Sequence, residues 1–367
     1  MGFEIHEIDG DIRSAYGLTV ADMNGDGKPD VIAGSMGSKM IAWYEGPTFE
    51  KHVVSTDHVG TICVAAHDIT GSGRPDLIAG SGFSRSDRSI TEYLHWLEAS
   101  EEDGNWTSHL IDEIPYCHRL GMVDVHQDGD PVLVVAAIRG VDGTIEEWDD
   151  PGDIWLYEIP DEPYGKWPCH KIGYACLNHG FSAGDVDDDG RMDLLIGSRD
   201  GLLWLEPPAE DLTDPWIRHV ISDLESSETW TADLDGDGIN EILSIEPWHG
   251  NELAWYKCIG GDLRHGPWER HLIDDTLNRG HSVQCVDIDG DGKMEIISGY
   301  NGEGKTLNLY RATDDSYETW EREAVDPGGL GMGQMEILDL NGDGRLDIVA
   351  TGMSSNNVRW YEAGSDH

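Results

Sequence analysis

The chain has 367 residues, and its formal net charge of -48 reflects 72 acidic residues against 24 lysines and arginines. A field this negative repels nucleic-acid phosphates and anionic lipid headgroups, so we predict neither nucleic-acid nor membrane partners. The 46 glycines, 14 tryptophans and only 4 phenylalanines favour many short strands joined by tight turns. The sequence has no apolar run of the roughly 18 residues that a transmembrane helix needs.

Three further expectations come from the acidity, the N-terminus and the cysteines. An acidic surface poor in lysine is typical of proteins adapted to high salt, where screening weakens self-repulsion. The segment from Met1 to His6 lacks the basic and apolar parts of a signal peptide, so we predict a cytoplasmic protein, or a secreted one whose leader was removed. The six cysteines show no zinc-knuckle spacing, and Cys63 and Cys285 fit buried core positions. We expect a monomer.

An acidic loop of nine residues recurs along the chain, and its first copy is Asp22-Met-Asn-Gly-Asp-Gly-Lys-Pro-Asp30. Alternating oxygen side chains and a glycine that permits a sharp turn suit a hard cation such as Ca²⁺. The flanking residues are β-like and the final acid comes at position nine, so the loop is not an EF-hand. The predicted Ca²⁺ ligands are Asp22, Asn24, Asp26, Asp30, Asp185, Asp187, Asp189, Asp193, Asp233, Asp235, Asp237, Glu241, Asp287, Asp289, Asp291, Glu295, Asp339, Asn341, Asp343 and Asp347. Two eroded copies begin at Asp68 and Asp124.

Two strand patterns recur with the loop. An aromatic strand such as Met40-Ile-Ala-Trp-Tyr-Glu45 follows it, and then an aromatic-x-x-His strand such as Phe49-Glu-Lys-His52, whose histidine we interpret as structural. Each unit therefore has four strands, A to D, with the acidic loop between A and B. The repeat length is that of propeller blades, about 40–50 residues.

The two ends of the chain determine the architecture. The sequence stops after strand C of the seventh unit and begins with an isolated D strand at residues 3–8. Joining the ends closes a ring without a free edge. We predict an all-β, seven-bladed β-propeller with four-stranded blades, forming one domain over residues 1–367, in which residues 3–8 complete the blade formed by 335–362.

The acidic loops resemble FG-GAP/VCBS-type repeats over essentially the whole chain. That family includes integrin-type binding propellers and seven-bladed enzymes, among them ulvan lyases, rhamnosyl-glucuronate lyases and the aldos-2-ulose dehydratase propeller. The loop motif is specific for the fold and nearly silent about chemistry.

Candidate site residues lie where the units depart from their common pattern. Six residues before each first loop aspartate, the occupants are Tyr16, Ile62, His118, His179, Ser227, His281 and Gly333. A single histidine at such a position can be incidental, but several on one rim near the axial channel indicate a site. The B–C loops open on the same face and bring Arg85, Arg88, Arg139, Trp248 and His249. Arginine and tryptophan suit an acidic sugar, although these arginines could instead pair with local acids.

The resemblance to the lyases implies a specific function. In those enzymes histidine and tyrosine exchange protons beside an arginine that neutralises a uronate carboxylate, and the matching positions are His58, then Arg85 or His95, then Tyr116 or His118, then Arg139. The leading hypothesis is a carbon–oxygen lyase acting by β-elimination on a uronate-containing saccharide, or a related sugar dehydratase. The predicted catalytic residues are His58, Tyr116, His118, Arg139 and His179, and the predicted substrate-binding residues are Arg85, Arg88, His95, Arg119, Trp248, His249 and His281.

Two alternatives remain open from the sequence. Three imidazoles at His118, His179 and His281 resemble a catalytic Zn²⁺ site with an open position, although we expect ring-equivalent positions to lie too far apart to share one ion. A non-catalytic, calcium-stabilised carbohydrate- or protein-binding propeller is the other. A lectin would repeat its pocket in several blades, whereas this rim is irregular, which favours an enzyme.

Overall fold

The computed structural model describes residues 2–84, 92–100, 105–141 and 149–364. These residues form seven four-stranded antiparallel sheets, which confirms the predicted seven-bladed β-propeller. No helix long and apolar enough to cross a membrane occurs in the described ranges.

Within each blade the strands run from the innermost, A, to the outermost, D. Strand β1 (Phe3–Asp9) belongs to the last blade. Blades one to four contain β2 (Ala15–Ala21), β3 (Asp30–Ser35), β4 (Ile41–Glu45) and β5 (Glu50–Ser55); β6 (Cys63–His67), β7 (Asp76–Ser81), β8 (Tyr93–Ala99) and β9 (Trp106–Glu113); β10 (Cys117–Val123), β11 (Val132–Ala137), β12 (Gly152–Tyr157) and β13 (Cys169–Ala175); and β14 (Gly180–Gly184), β15 (Asp193–Ser198), β16 (Gly201–Glu206) and β17 (Ile217–Ser222). Blades five to seven contain β18 (Glu228–Ala232), β19 (Glu241–Glu246), β20 (Glu252–Cys258) and β21 (Trp268–Asp274); β22 (Gly280–Val286), β23 (Glu295–Tyr300), β24 (Thr306–Ala312) and β25 (Trp320–Pro327); and β26 (Met332–Leu338), β27 (Asp347–Gly352) and β28 (Asn357–Ala363), with β1.

The ring closes as the chain ends predicted. β1 pairs with β28, so that Phe3 lies opposite Ala363 and His6 opposite Trp360. Each A strand contacts the A strands of both neighbouring blades, including β2 against β26. The seven A strands therefore surround one axis.

The burial of a strand depends on its place between the inner and outer edges of the blade. The B strand Asp30–Ser35 is buried throughout, because it lies between two strands and is covered by both neighbouring blades. The D strand Glu50–Ser55 is mostly exposed or half-buried. Apolar residues of adjacent blades interlock, as Val134 of blade three does with Leu194 and Leu203 of blade four. Such burial is the main stabilising term in a propeller, since each blade covers the faces of the next.

The histidines of the D strands have a structural role. His52 stacks on Trp43 with ring centroids 4.2 Å apart, and its Nε2 lies 2.9 Å from Glu45. Blades two, four and seven repeat this arrangement with Trp96, His109 and Glu98; Trp204, His219 and Glu206; and Trp360, His6 and Glu362. The imidazole thus joins strands C and D through stacking and a hydrogen bond.

The acidic loops are held by their own backbone. In blade one, the Asp22 carboxylate accepts hydrogen bonds from the N–H groups of Gly25, Asp26 and Gly27 at 2.7–3.0 Å. Gly25 and Gly27 have φ of 78° and 82°, a left-handed conformation that glycine adopts without steric cost. These A–B loops lie at one end of the ring. The B–C and D–A connections lie at the other, since successive strands are antiparallel.

A candidate active site at the axis of the ring

Four side chains from the starts of A strands meet at the axis. His118 lies with its ring centroid 4.7 Å from that of His179, His281 lies 5.0 Å from His179, and Tyr16 lies 5.2 Å from His281. All four residues are buried, with at most 3% of their surface exposed. The register counted from the acidic loops therefore did identify a cluster.

A fifth residue joins from a B–C loop. His249 Nε2 lies 2.9 Å from His179 Nε2, and ligand atoms of His179, His249 and His281 all lie within 4.8 Å of one another. The expectation that positions so far apart around the ring cannot share an ion is wrong for His179 and His281, because the A strands converge on the axis and both rings project inward. His249, which the sequence assigned to substrate binding, completes this trio.

Hydrogen bonds fix the tautomers of two of these histidines. His281 Nδ1 lies 2.9 Å from the Gly333 carbonyl oxygen. His179 Nδ1 lies 3.1 Å from the Ser227 carbonyl and 3.0 Å from a Glu228 carboxylate oxygen. Because these oxygens only accept, each Nδ1 carries the proton, so the lone pair of each ring lies on Nε2. Metal-ligating histidines are usually oriented in this way, so the residues fit a transition-metal ion.

Burial keeps three histidines of the cluster neutral, because it lowers their pKa. Burial, with the neighbouring His179, lowers the pKa of His281 to about 3. Burial also holds the pKa of His118 and of His249 well below the usual value, and the charge of Arg119 acts in the same direction. Neutral imidazoles are the form that binds metal or accepts a proton.

An arginine and a glutamate connect the cluster. Arg119 donates from Nη1 to the Tyr16 hydroxyl at 2.9 Å and from Nη2 to Glu228 at 2.8 Å. Burial raises the pKa of Tyr16 to about 12, while Arg119 acts to lower it. The Tyr16 hydroxyl also lies 3.2 Å from His281 Nε2 and 3.5 Å from His118 Nε2.

Glu228 was not among the residues predicted from the sequence. One residue after the rim position, the seven units have Gly17, Cys63, Arg119, Gly180, Glu228, Ser282 and Gln334. Arg119 and Glu228 are the charged members of this set. The signal that identifies both residues is therefore present in the sequence, one position beyond the rim register.

The cluster separates two cavities. On the B–C loop side, a small cavity of about 60 Å³ is lined by the histidines together with Phe83, Trp248 and Arg279. On the other side, an axial channel of about 340 Å³ reaches Arg119, Glu228 and His281. His281 thus lines both cavities, whereas Arg119 and Glu228 line only the channel.

His58 and His95 lie in a separate pocket of about 350 Å³ with Tyr93. Ser108 Oγ lies 3.1 Å from His58 Nε2 and 3.2 Å from His95 Nδ1. Burial lowers the pKa of both histidines, that of His95 to about 4.

Tyr116 and Arg139 belong to a third region. The Arg139 guanidinium lies 4.0 Å from the centre of the Tyr116 ring, and Arg139 lines a cavity of about 570 Å³ with Trp155 and Tyr174. Four of the five predicted catalytic residues therefore line three pockets instead of one, and the fifth, Tyr116, contacts Arg139. Arg85 and Arg88 lie outside the described residues.

The acidic loops fit calcium in at least two blades. Carboxylate oxygens of Asp185, Asp187 and Asp193 lie within 4.8 Å of one another, as do those of Asp233, Asp235 and Glu241. Buried atoms Asp187 Oδ1 and Glu241 Oε1 accept no hydrogen bond. Carboxylate oxygens gathered at such short distances are suitable ligands for Ca²⁺. The full predicted ligand set stays a prediction.

Comparison with known proteins supports the repeat assignment. A family model described as FG-GAP-like repeat matches residues 15–79 and 233–298, and both segments contain an acidic loop between strands A and B. These two segments match FG-GAP-like repeats. The resemblance inferred from the acidic loops is therefore confirmed.

Two curated proteins are similar to parts of this chain. Aldos-2-ulose dehydratase of Phanerodontia chrysosporium is 29% identical over 233 residues, which are 56% of this chain and 25% of that protein. KICSTOR complex protein ITFG2 of Mus musculus is 24% identical over 179 residues, 47% of this chain and 38% of the relative. The chain thus aligns with well under half the length of either.

A solved structure shares the fold. The structure, described as showing recognition of non-reducing terminal N-acetylglucosamine by an Agrocybe aegerita lectin, superposes with a TM-score of 0.52 at 14% identity. It covers 95% of this chain and 85% of the lectin chain. At this identity the match supports a shared architecture and nothing about function.

Proposed function

We propose that this chain is a carbon–oxygen lyase of the sugar-dehydratase type whose active site is the axial histidine cluster. The observation that best supports this proposal is a cluster of buried histidines whose Nε2 atoms face the axis. Tyr16, Arg119 and Glu228 lie beside them. The similarity to aldos-2-ulose dehydratase supports the same reaction class. Perturbed titratable groups converging on one cavity are typical of active sites.

Dehydration of a keto-sugar requires two proton transfers. A base removes the proton on the carbon next to the carbonyl, a C=C bond forms, and the C–O bond to the β-hydroxyl breaks. An acid protonates that hydroxyl, which leaves as water. Buried groups within hydrogen-bond reach of the substrate perform such transfers.

His118 and Tyr16 suit these roles. His118 is neutral, and its Nδ1 has no hydrogen-bond partner among the described residues. Tyr16 keeps its proton, because burial raises its pKa to about 12. Arg119 holds the phenol oxygen in place and Glu228 holds Arg119. We assign His118 as base and Tyr16 as acid.

We propose that His179, His249 and His281 would hold a Zn²⁺ ion. Such an ion supplies Lewis acidity toward a carbonyl oxygen. Glu228 and the Ser227 carbonyl orient His179, and the Gly333 carbonyl orients His281. Trp248 and Phe83 narrow the opening above the cluster, which restricts water.

A uronate lyase is a second candidate, and the pocket of His58 and His95 favours it. Two neutral histidines beside Tyr93 in a cavity of about 350 Å³ could exchange protons with a saccharide chain. Arg139, the proposed carboxylate-binding residue, lines a different cavity. The axial cluster therefore remains our first choice.

A turnover assay tests the proposal. The purified chain is incubated with a hexos-2-ulose, and the unsaturated product is followed by ultraviolet absorbance and NMR. We expect turnover by the unaltered chain, and a loss of about 100-fold or more in His118→Ala and Tyr16→Phe, because proton-transfer groups contribute this much.

The matched control is His265→Ala, since that side chain is 81% exposed and contacts Asp262. It should retain full activity. Turnover of uronate polysaccharides that depends on His58, or sugar binding without any turnover, would contradict the dehydratase assignment.

A further inference from the structure

The end of strand C faces the acidic loop of its own blade, and its charge varies between blades. In blade one, Glu45 accepts a hydrogen bond from the Asn24 amide at 3.1 Å. In blade seven, Glu362 accepts one from the Asn341 amide at 3.0 Å. In these two blades an uncharged third loop residue therefore faces a carboxylate.

Blades five and six reverse the arrangement. The third loop residue is Asp235 or Asp289, and strand C presents Lys257 or Arg311. Lys257 Nζ contacts Asp235, lies 2.7 Å from Asp237 Oδ2 and lies 3.4 Å from Glu241 Oε1. Arg311 is more distant, at 3.6 Å from Asp289. The third loop residue and the strand C residue that faces it thus remain complementary in charge. In blades five and six the loop residue is the acid and the strand C residue is the cation.

In blade four, a cation from a neighbouring blade compensates the negative charge at these two positions. Its third loop residue, Asp187, and its strand C residue, Glu206, are both acidic. Arg264, from the C–D loop of blade five, contacts Asp187 and lies 2.7 Å from Glu206 Oε1. Where two carboxylates meet, the chain supplies a cationic side chain.

We propose that Lys257 is a built-in competitor for calcium at the acidic loop of blade five. Oxygens of Asp233, Asp235 and Glu241 lie within 4.8 Å of one another, and Glu241, which is 1% exposed, has an Oε1 that accepts no hydrogen bond. The Lys257 ammonium lies against these same carboxylates. A Ca²⁺ ion must displace it, because two cations cannot share one set of oxygens at contact distance.

The chain therefore has calcium sites of unequal strength. The loops of blades one and seven add a strand C carboxylate, which favours a divalent cation, whereas the negative charge of the blade-five loop is already partly compensated by its own lysine. Ligand charge count is a main determinant of calcium affinity. Blade five should keep its loop ordered without calcium and should bind calcium last.

Calcium titration of the full chain tests this assignment. Chelator-treated protein is titrated with CaCl₂ by calorimetry, comparing the unaltered chain, Lys257→Gln and the control Lys51→Gln. Lys51 pairs with Asp9, outside the acidic loops, at 2.7 Å. We expect Lys257→Gln to tighten one equivalent of calcium by about tenfold or more, because one competing charge is removed. Lys51→Gln should match the unaltered chain.

Thermal unfolding gives a second readout. In chelator, Lys257→Gln should unfold at a lower temperature than the unaltered chain, and excess CaCl₂ should remove the difference. An isotherm of Lys257→Gln that superposes on that of the unaltered chain, or that loses a tight equivalent, would overturn the proposal. Neither measurement depends on catalysis, so the result stands apart from the proposed enzymatic function.

Discussion

Histidines in this chain fall into two kinds according to the contacts of their ring nitrogens. His52 and its counterparts in the D strands stack on tryptophan and contact a glutamate, which joins two strands through the imidazole. His179 and His281 donate from Nδ1 to carbonyl oxygens, so the lone pair of each ring lies on Nε2 at the axis. The same residue type therefore joins strands at the outside of the ring and lines the polar cluster at its axis.

His95 gives a prediction for pH dependence. Burial and the neighbouring His58 lower its pKa from 6.5 to about 4, so the unfolded chain binds a proton in this interval that the folded chain does not. The free energy of unfolding should fall as pH drops from about 6.5 to 4. In His95→Gln this fall should be smaller. Urea unfolding at pH 7 and pH 5 measures it.

The exposed His265 provides the comparison for that experiment. His265→Gln should lose as much stability between the two pH values as the unaltered chain, since its side chain is 81% exposed. An equal loss in His95→Gln and in the unaltered chain would contradict the buried, neutral state of His95.

Among the strands, β1 closes the ring, because it comes from the start of the chain and pairs with the last strand. β1 is the outermost strand of blade seven, and Asp9 at its end accepts a hydrogen bond from Tyr44 of blade one at 2.6 Å and pairs with Lys51 at 2.7 Å. β1 thus contacts blade seven and blade one, the two blades that meet where the ring closes. Propellers closed in this way gain stability from such pairing because it removes a free sheet edge.

Removal of residues 2–9 should destabilise the ring. We expect a drop in the unfolding temperature of about 10 °C or more, because β28 loses its partner and Trp360 loses the ring stacked on it. A synthetic peptide of residues 2–10, added in excess, should restore part of the loss. An unchanged unfolding temperature in the truncated chain would show that β1 does not hold the ring closed.

Strand patterns were predictable from the sequence because they depend on local alternation and on the repeat. The aromatic C strands and the acidic loops fixed the number of blades, and the isolated strand at residues 3–8 fixed how the ring closes. Of the charged pair, Arg119 was predicted from the sequence and Glu228 was not, since the two residues are 109 positions apart. Their contact arises from convergence of A strands, which no local pattern encodes.

At the scale of the whole molecule, the two ends of the ring have different chemistry. The end with the A–B loops carries the acidic repeats, whereas the opposite end carries the cationic and aromatic residues around the axis, such as Arg279 and Trp248. The register grouped Tyr16, His118, His179 and His281, which meet at the axis. It could not predict that His58, Arg139 and His118 would line three cavities, because their separation depends on ring radius and loop course.

Adaptation to high salt and the calcium content of the loops remain predictions from composition and motif. The net charge of -48 is too large for the acidic loops alone to explain, since they contribute only part of the 72 acidic residues. Screening by salt would relieve the repulsion between blades.

Metal content is the measurement that tests the axial site most directly. The purified chain is loaded with ZnCl₂ in the presence of excess CaCl₂, exchanged into metal-free buffer and analysed for zinc, beside His281→Ala and the exposed control His265→Ala. We predict about one tightly held zinc per chain in the unaltered protein and the control, and none in His281→Ala, because ligand atoms of the three imidazoles lie within 4.8 Å of one another and form one site. Absence of zinc from the unaltered chain, or equal zinc in all three proteins, would contradict a metal centre at His179, His249 and His281.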